Sequence, residues 1–594
     1  MKNKIFALAA AAGLFGAAVR AAGPAPDSSP AIARSNADAQ PLLSAMARFV
    51  PEMASRFGVA GFDDKIFDLG PNLAQRQIDA VEAARAGLEA DLAAEKDPAV
   101  RQDLEIMIQA ADENNEGTRL GEKYNLPYFD VPQVVFFGIR GLLDDRVSPD
   151  RRKLALVRLE KYAGMRGGKP ITELAEERIR EKLANPKLLG PFRGEVEKNL
   201  GNAPRFIDGV GLLFPKYKIA GWEKPYARLK EQMAAYDAFV RKEVLPRART
   251  NFRLPPEQYV FALKQAGVDM PVGELTSRAK ASFREIQNEM QTLAPLVATQ
   301  HGFSSQDYRD VIADLKKDRL SNETILAHYE GRIKDLEKII EEHHIVTLPD
   351  RPMKFRLASE AESSATPAPH MSPPRLIGNT GEMGEFVLPL EIPGKNGQSE
   401  QFDDFNFAAA SWTLTAHEGR PGHELQFSTV IEKGVSIARA IFAFNSTNVE
   451  GWGLYAEAEA QPYEPLDGQL IACQHRLLRA ARAFLDPGLQ MGEITPEEAT
   501  RVLRKDVCLS EALANEEVER YTFWAPGQAP SYFCGYQRLM ALRTDAERIL
   551  GTAFDRQRFN DFVLSQGLLP PSLLRKAVME EFVPLERKRP GKAA

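Results

Sequence analysis

Cysteine is nearly missing from this chain of 594 residues, which has three: Cys473, Cys508 and Cys534. So small and odd a number excludes a disulfide framework, and no two of them stand in a CxxC spacing. A single bridge in an oxidising compartment is the most they allow, with Cys473 to Cys508 the pair expected. No charge of one sign dominates, because 76 Lys and Arg face 82 Asp and Glu for a net charge of −6. The longest basic run is the tail Arg587-Lys588-Arg589, so no nucleic-acid partner is expected. Long apolar runs are missing too. Beyond the first twenty residues none reaches 18, which argues against stable membrane insertion. There is no G-x-S-x-G elbow for a serine hydrolase, and the three cysteines sit in no cysteine-hydrolase signature.

What is present begins at the N-terminus. Met1-Lys2-Asn3-Lys4 is cationic, Ile5 to Val19 is apolar, and Val19-Arg20-Ala21 offers small residues for cleavage. This order predicts a signal peptide over 1–21 and an exported mature chain beginning near Ala22, with no cysteine nearby to carry a lipid. Residues 22–38, rich in Pro, Ser and Ala, read as a flexible linker. Helical spacing then dominates, clearest over 75–92, 100–114, 277–294 and 322–340. Only Phe386-Val387-Leu388-Pro389-Leu390 alternates like a strand, and Pro389 confines it to an edge or an end. The expected fold is mostly α: two helical lobes around a cleft, with at most a small β element. Its boundaries are an N-terminal helical region over 39–349, a Pro-rich connection over 350–397 and a C-terminal helical region over 398–594. Helices should resume at Asp403-Asp404, which supply N-cap chemistry.

Of only eight histidines, two fall within seven residues: His417-Glu418-Gly419-Arg420-Pro421-Gly422-His423. A zinc helix needs its histidines four apart. Six apart leaves them ~120° from one another on an ideal helix. Pro421 and Gly422 between them are the pair that breaks or bulges a helix, and an extra two residues there would return His423 to the face of His417. Two imidazoles can then hold one Zn²⁺, and Glu418, next to the first, can accept a proton from water. Downstream, Glu450 and Glu457 are seven apart and lie within ~20° on one helical face. One can bind the metal while the other holds a ligand histidine. A bland reading competes: Thr447-Asn448-Val449-Glu450 is also a capping box. His301, His328, His370 and His475 lack partners at ligand spacing, and His343-His344 closes a charged helix.

His417-Glu418-x-x-Pro421-Gly422-His423-x-x-Gln426 followed by Glu450-Gly451-Trp452-x-x-Tyr455-x-Glu457 resembles a bacterial domain-of-unknown-function family, DUF885. That family looks like a distant branch of the gluzincin zinc metallopeptidases. The likeness continues through Arg520-Tyr521, Pro526-Gly527-Gln528-Ala529-x-Ser531-Tyr532-x-x-Gly535 and Arg543, and more loosely through Arg247-x-x-x-Asn251-Phe252-Arg253-Leu254. The resemblance implies one zinc ion on His417, His423 and Glu450, with Glu418 as general base and Tyr532 as donor to an oxyanion. It assigns Glu457, Arg520, Tyr521, Gln528 and Arg543 to support or substrate contact. The substrate implied is a peptide, and the compartment the bacterial periplasm or the exterior. Oligomeric state is left open. One departure is Gln490 after Asp486-Pro487-Gly488-Leu489, where the family often has histidine. Arg420 is an unusual charge beside a dication, fit to face away or to grip a carboxylate. The alternative is a non-catalytic envelope protein that binds metal or peptide on a peptidase scaffold.

Overall fold

A computed structural model of the chain describes residues 29–390, 392–393, 399–400 and 402–589. The expected signal peptide lies outside them. Helix dominates. The four expected helices form as α2 (Leu73–Ala94), α3 (Pro98–Tyr124), α4 (Val272–His301) and α5 (Ile325–Glu342), preceded by α1 (Pro30–Ala47). Of the linker expected over 22–38, residues 22–28 lie outside the described residues and 30–38 belong instead to α1. Ser29 caps it, Pro30 opens it, and Ser35, Ala39, Leu42 and Leu43 bury one face. None of the described helices is long and apolar enough to cross a membrane.

The Pro-rich connection is not a plain loop. It holds β1 (Lys354–Leu357), β2 (His370–Ser372) and β3 (Glu385–Leu388), ordered β1-β3-β2. Phe386 to Leu388 therefore form the central strand, parallel to β1 and antiparallel to β2, and the strand stops before Pro389. Pro389 lacks the N–H a ladder needs.

Five further helices build the site: α6 (Ala410–Glu418), α7 (His423–Lys433), α8 (Ser446–Ala460), α9 (Leu466–Met491) and α10 (Pro530–Leu550). The helix start expected at Asp403-Asp404 falls instead at Ala410. Both aspartates are taken by Lys316 Nζ at 2.8 Å, and Asp404 also accepts from the Ser510 N–H at 3.0 Å. α8 and α10 cross closely. A Cβ on Gly451 would lie 2.6 Å from the Gly535 carbonyl carbon, and one on Gly535 2.0 Å from the Thr447 oxygen.

Among the described residues apolar side chains gather into three large cores. One lies within residues 49–244 with Ala361 added, and one joins Met270–Tyr329 to Leu470–Cys534. The third pools Ala39–Ala111 with Leu425–Tyr455 and Leu539–Val583. The boundary expected at 350–397 thus divides the sequence but not the packing. The expected Cys473–Cys508 bridge does not form: all three thiols are free. Cys473 and Cys534 are buried small apolar residues.

Candidate metal centre

The six-residue spacing of the histidines is resolved by a break, not a bulge. His417 lies in the last turn of α6 and His423 opens α7, with Gly419 to Gly422 turning between them. The turn needs glycine at Gly422, where a Cβ would lie 2.0 Å from the His417 oxygen. Trp452 on α8 clamps it, its Nε1–H donating to the oxygens of Pro421 at 3.0 Å and Gly422 at 3.3 Å. Arg420 faces away, donating to Glu424 and Glu337 at 2.7 Å each and to the Arg351 oxygen at 2.6 Å.

The two imidazoles end with ring centroids 4.6 Å apart. Glu450 joins them from α8, its Oε2 3.5 Å from His417 Nε2 and 3.3 Å from His423 Nε2. The capping role weighed for Glu450 is absent: Asn445 caps α8 through the Asn448 N–H, and Thr447 bonds to the Ala266 oxygen. All three residues are buried, and their ligand atoms lie within 4.8 Å of one another. Tetrahedral zinc with bonds of ~2.1 Å sets its donors ~3.4 Å apart, which matches both carboxylate–imidazole distances. Glu450 Oε2 and His423 Nδ1 make no hydrogen bond although buried. Burial would raise the Glu450 carboxyl, but the two imidazoles hold it far below the usual range. The donor set fits one divalent ion of the zinc class.

Glu457, one face further along α8, accepts from His417 Nδ1 at 2.6 Å and from Thr413 Oγ1 at 2.6 Å. This bond leaves Nε2 as the ring nitrogen that faces Glu450. Against burial, Arg479 and His417 pull the Glu457 carboxyl down to about 2. Burial alone would lower His417, yet Glu450 and Glu457 raise it to about 9. Gly453 confines the ring: a Cβ there would lie 2.5 Å from His417 Cε1.

Glu418 stands beside the cluster, its Oε1 3.9 Å from His417 Nε2. Its Oε2 accepts the Met371 N–H of β2 at 2.8 Å, so the Pro-rich connection holds the proposed base. Tyr532 on α10 lies nearly parallel to His417, with centroids 6.3 Å apart. Burial and Glu450 raise its phenol, so it stays a donor at neutral pH.

Residues 51–578 match the family described as "Bacterial protein of unknown function (DUF885)". The chain belongs to that family. No curated protein matches it. Two solved structures share the fold of this DUF885 protein, each at 18% identity and covering 93% of this chain and all of its own. One is the "putative lipoprotein from Colwellia psychrerythraea", with a TM-score of 0.71. The other is a "putative lipoprotein of unknown function from Shewanella oneidensis", with a TM-score of 0.68.

Around the candidate metal centre of this DUF885 chain the other expected residues divide. Tyr521 donates to Glu517 at 2.6 Å, and Arg520 lies 3.8 Å from the same carboxylate. Gln528 donates to Ser446 at 2.9 Å. Arg543 does not join them; it pairs with Glu459, Glu547 and the Tyr455 hydroxyl. Gln490 is a structural tie, accepting from the Leu254 N–H at 2.9 Å and donating to the Tyr521 oxygen at 2.7 Å. Reading the sequence missed Thr413, Met371, Arg479, Arg482 and Glu517. A signal for the arginines existed. His475, Arg479, Arg482 and Asp486 recur at helical spacing along α9, all on a buried face.

Proposed function

We propose that the protein is an exported zinc-dependent peptidase of the gluzincin kind. The observation that carries this reading is the convergence of His417, His423 and Glu450, all buried, at the separations a tetrahedral ion demands. Zinc held there supplies positive charge that polarises a peptide carbonyl and eases deprotonation of water. Glu418, steadied by the Met371 N–H, takes the proton of the attacking water and passes it to the leaving amine. The Tyr532 hydroxyl donates to the carbonyl oxygen as it gains charge. Glu457 keeps His417 oriented. Export is supported by the charged, apolar, small-residue order of the first 21 positions. An intact Met1 in protein recovered from its host would remove that part.

Two variants test the chemistry. Glu418→Gln keeps the shape, so zinc content stays at the wild-type level while peptide turnover falls by at least ~10². Glu450→Ala loses zinc and turnover together, because a ligand is gone. Unchanged turnover in Glu418→Gln, or full zinc in Glu450→Ala, would overturn the mechanism.

A further inference from the structure

Beside the candidate metal centre three arginines gather, Arg479 and Arg482 buried and Arg520 partly exposed. Arg482 is bidentate on Glu517 through Nε at 2.8 Å and Nη2 at 2.6 Å. Arg520 leans on that same Glu517 at 3.8 Å and reaches Gln528 Oε1 only at 3.5 Å. Arg479 approaches Glu457 at 3.4 Å, but that carboxylate is bound more closely by His417. The Nη1 of Arg479 goes to the His475 oxygen at 3.3 Å, and its Nε, fully buried, has no partner. Arg479 and Arg482 are each 6% exposed. The other acids nearby face Arg520 rather than Arg479: Glu516, which shares Lys198 with Glu519, feels the charge of Arg520, and burial pushes Asp486 up to about 8. His475 adds no charge, since burial and Arg479 push it down to about 3. Arg479 is thus the guanidinium with no carboxylate of its own, since Glu517 is held by Arg482 and Glu457 by His417. A surplus cation held out of water is costly unless an anion joins it.

The cluster also lies at a telling distance. Arg482 Cζ is 4.5 Å and Arg479 Cζ 5.9 Å from the centroid of Tyr532, whose ring lies 6.3 Å from that of His417. Laid end to end, these put the nearest guanidinium within about 11 Å of the ligand ring, a span of at most ~3 extended residues.

We propose that Arg479, Arg482 and Arg520 receive the C-terminal carboxylate of the substrate, so that the protein trims peptides from that end in steps of one to three residues. This rests on the peptidase reading above and names its substrate class. Guanidinium matches carboxylate geometry better than any other side chain. Arg520 and Glu418 are the partly exposed members, with side chains 16% and 13% accessible, and mark the side of entry.

The test uses the zinc-loaded full chain and three probes: N-acetyl-dialanine, its C-terminal amide, and N-acetyl-alanyl-glutamic acid diblocked so that only the side-chain carboxylate is free. Calorimetry should show the free acid binding at least ~10-fold tighter than its amide. Arg520→Gln should erase that difference. Equal binding of acid and amide overturns the proposal, and so does a preference that survives in both Arg520→Gln and Arg479→Gln. If the side-chain acid binds as well as the terminal one, the terminal assignment is wrong. Should a variant fail to fold, the three wild-type affinities decide alone. Preference for the acid without turnover of any peptide defeats the peptidase reading and leaves the carboxylate clamp standing.

Discussion

His417 is held from three directions: Glu457 behind it, Gly453 across its ring and Glu450 in front. Each can be removed separately. Glu457→Gln keeps the volume but weakens the bond to Nδ1, and zinc affinity is expected to fall roughly 10–100-fold, as for other residues behind a ligand. Competition against a calibrated chelator measures it; unchanged affinity would show that Glu457 does not orient the ring. Gly453→Ala forces the ring aside and should lose most of its zinc while circular dichroism keeps the helical signal. A full zinc complement in that variant would mean that the ring has room the close approach denies.

At the scale of elements, the ligand set depends on the α6–α7 break. Deleting Pro421 and Gly422 would join the two helices at a four-residue histidine spacing, the arrangement a regular zinc helix uses. Here it also removes both carbonyl acceptors of Trp452 and displaces Arg420 from its buried pairs with Glu424 and Glu337. The expected outcome is loss of zinc with a lowered melting temperature; a zinc-loaded, equally stable deletion would refute it. That no regular helix runs from His417 to His423 was legible from Pro421 and Gly422; that the chain ends one helix and starts another there, rather than bulging, was not. The long helices were legible from their apolar period, and so was the place of Glu457 on the same helical face as Glu450, from their spacing. Three other things were not. The amide of Met371 is a backbone group, and no side-chain pattern announces it. The start of α8 was left open because Asn445 and Thr447 both offer capping chemistry, and contact with Ala266, far away in sequence, decides between them. Arg479 and Arg482 were passed over because charges inside an apolar helix look like ordinary surface residues until the partner helices are in place.

For the whole molecule, buried carboxylates set a pH profile. Despite burial, Arg140 and Arg356 hold Glu362 at about 2, and Arg482 and Arg520 do the same for Glu517. Both titrate near 4.5 when unfolded, so their contribution, roughly 3 kcal/mol each, is complete above that pH and lost as pH falls toward 2. Glu464 and Asp486 act oppositely. Burial raises each to about 8, and both oxygens of Glu464 lack hydrogen bonds. The folded state holds protons there that the unfolded chain releases, so stability declines as pH rises from about 4 to 8. Melting temperature should therefore peak in mildly acidic buffer and fall on both sides. Glu464→Gln should flatten the alkaline side and leave the acidic side unchanged; an unaltered slope would remove Glu464 as its source.

The core shared by α1, α3 and the last helices has one more consequence. Asn36 accepts from the Ile437 N–H and Asp103 pairs with Arg439, across 401 and 336 positions of sequence. These helices thus complete their burial only against partners hundreds of positions later in the chain. Closures over such distances slow folding. A growing polypeptide that has already exposed both histidines still lacks Tyr532 and the core behind α8, so the cluster is assembled only after residues well beyond His423 have been made.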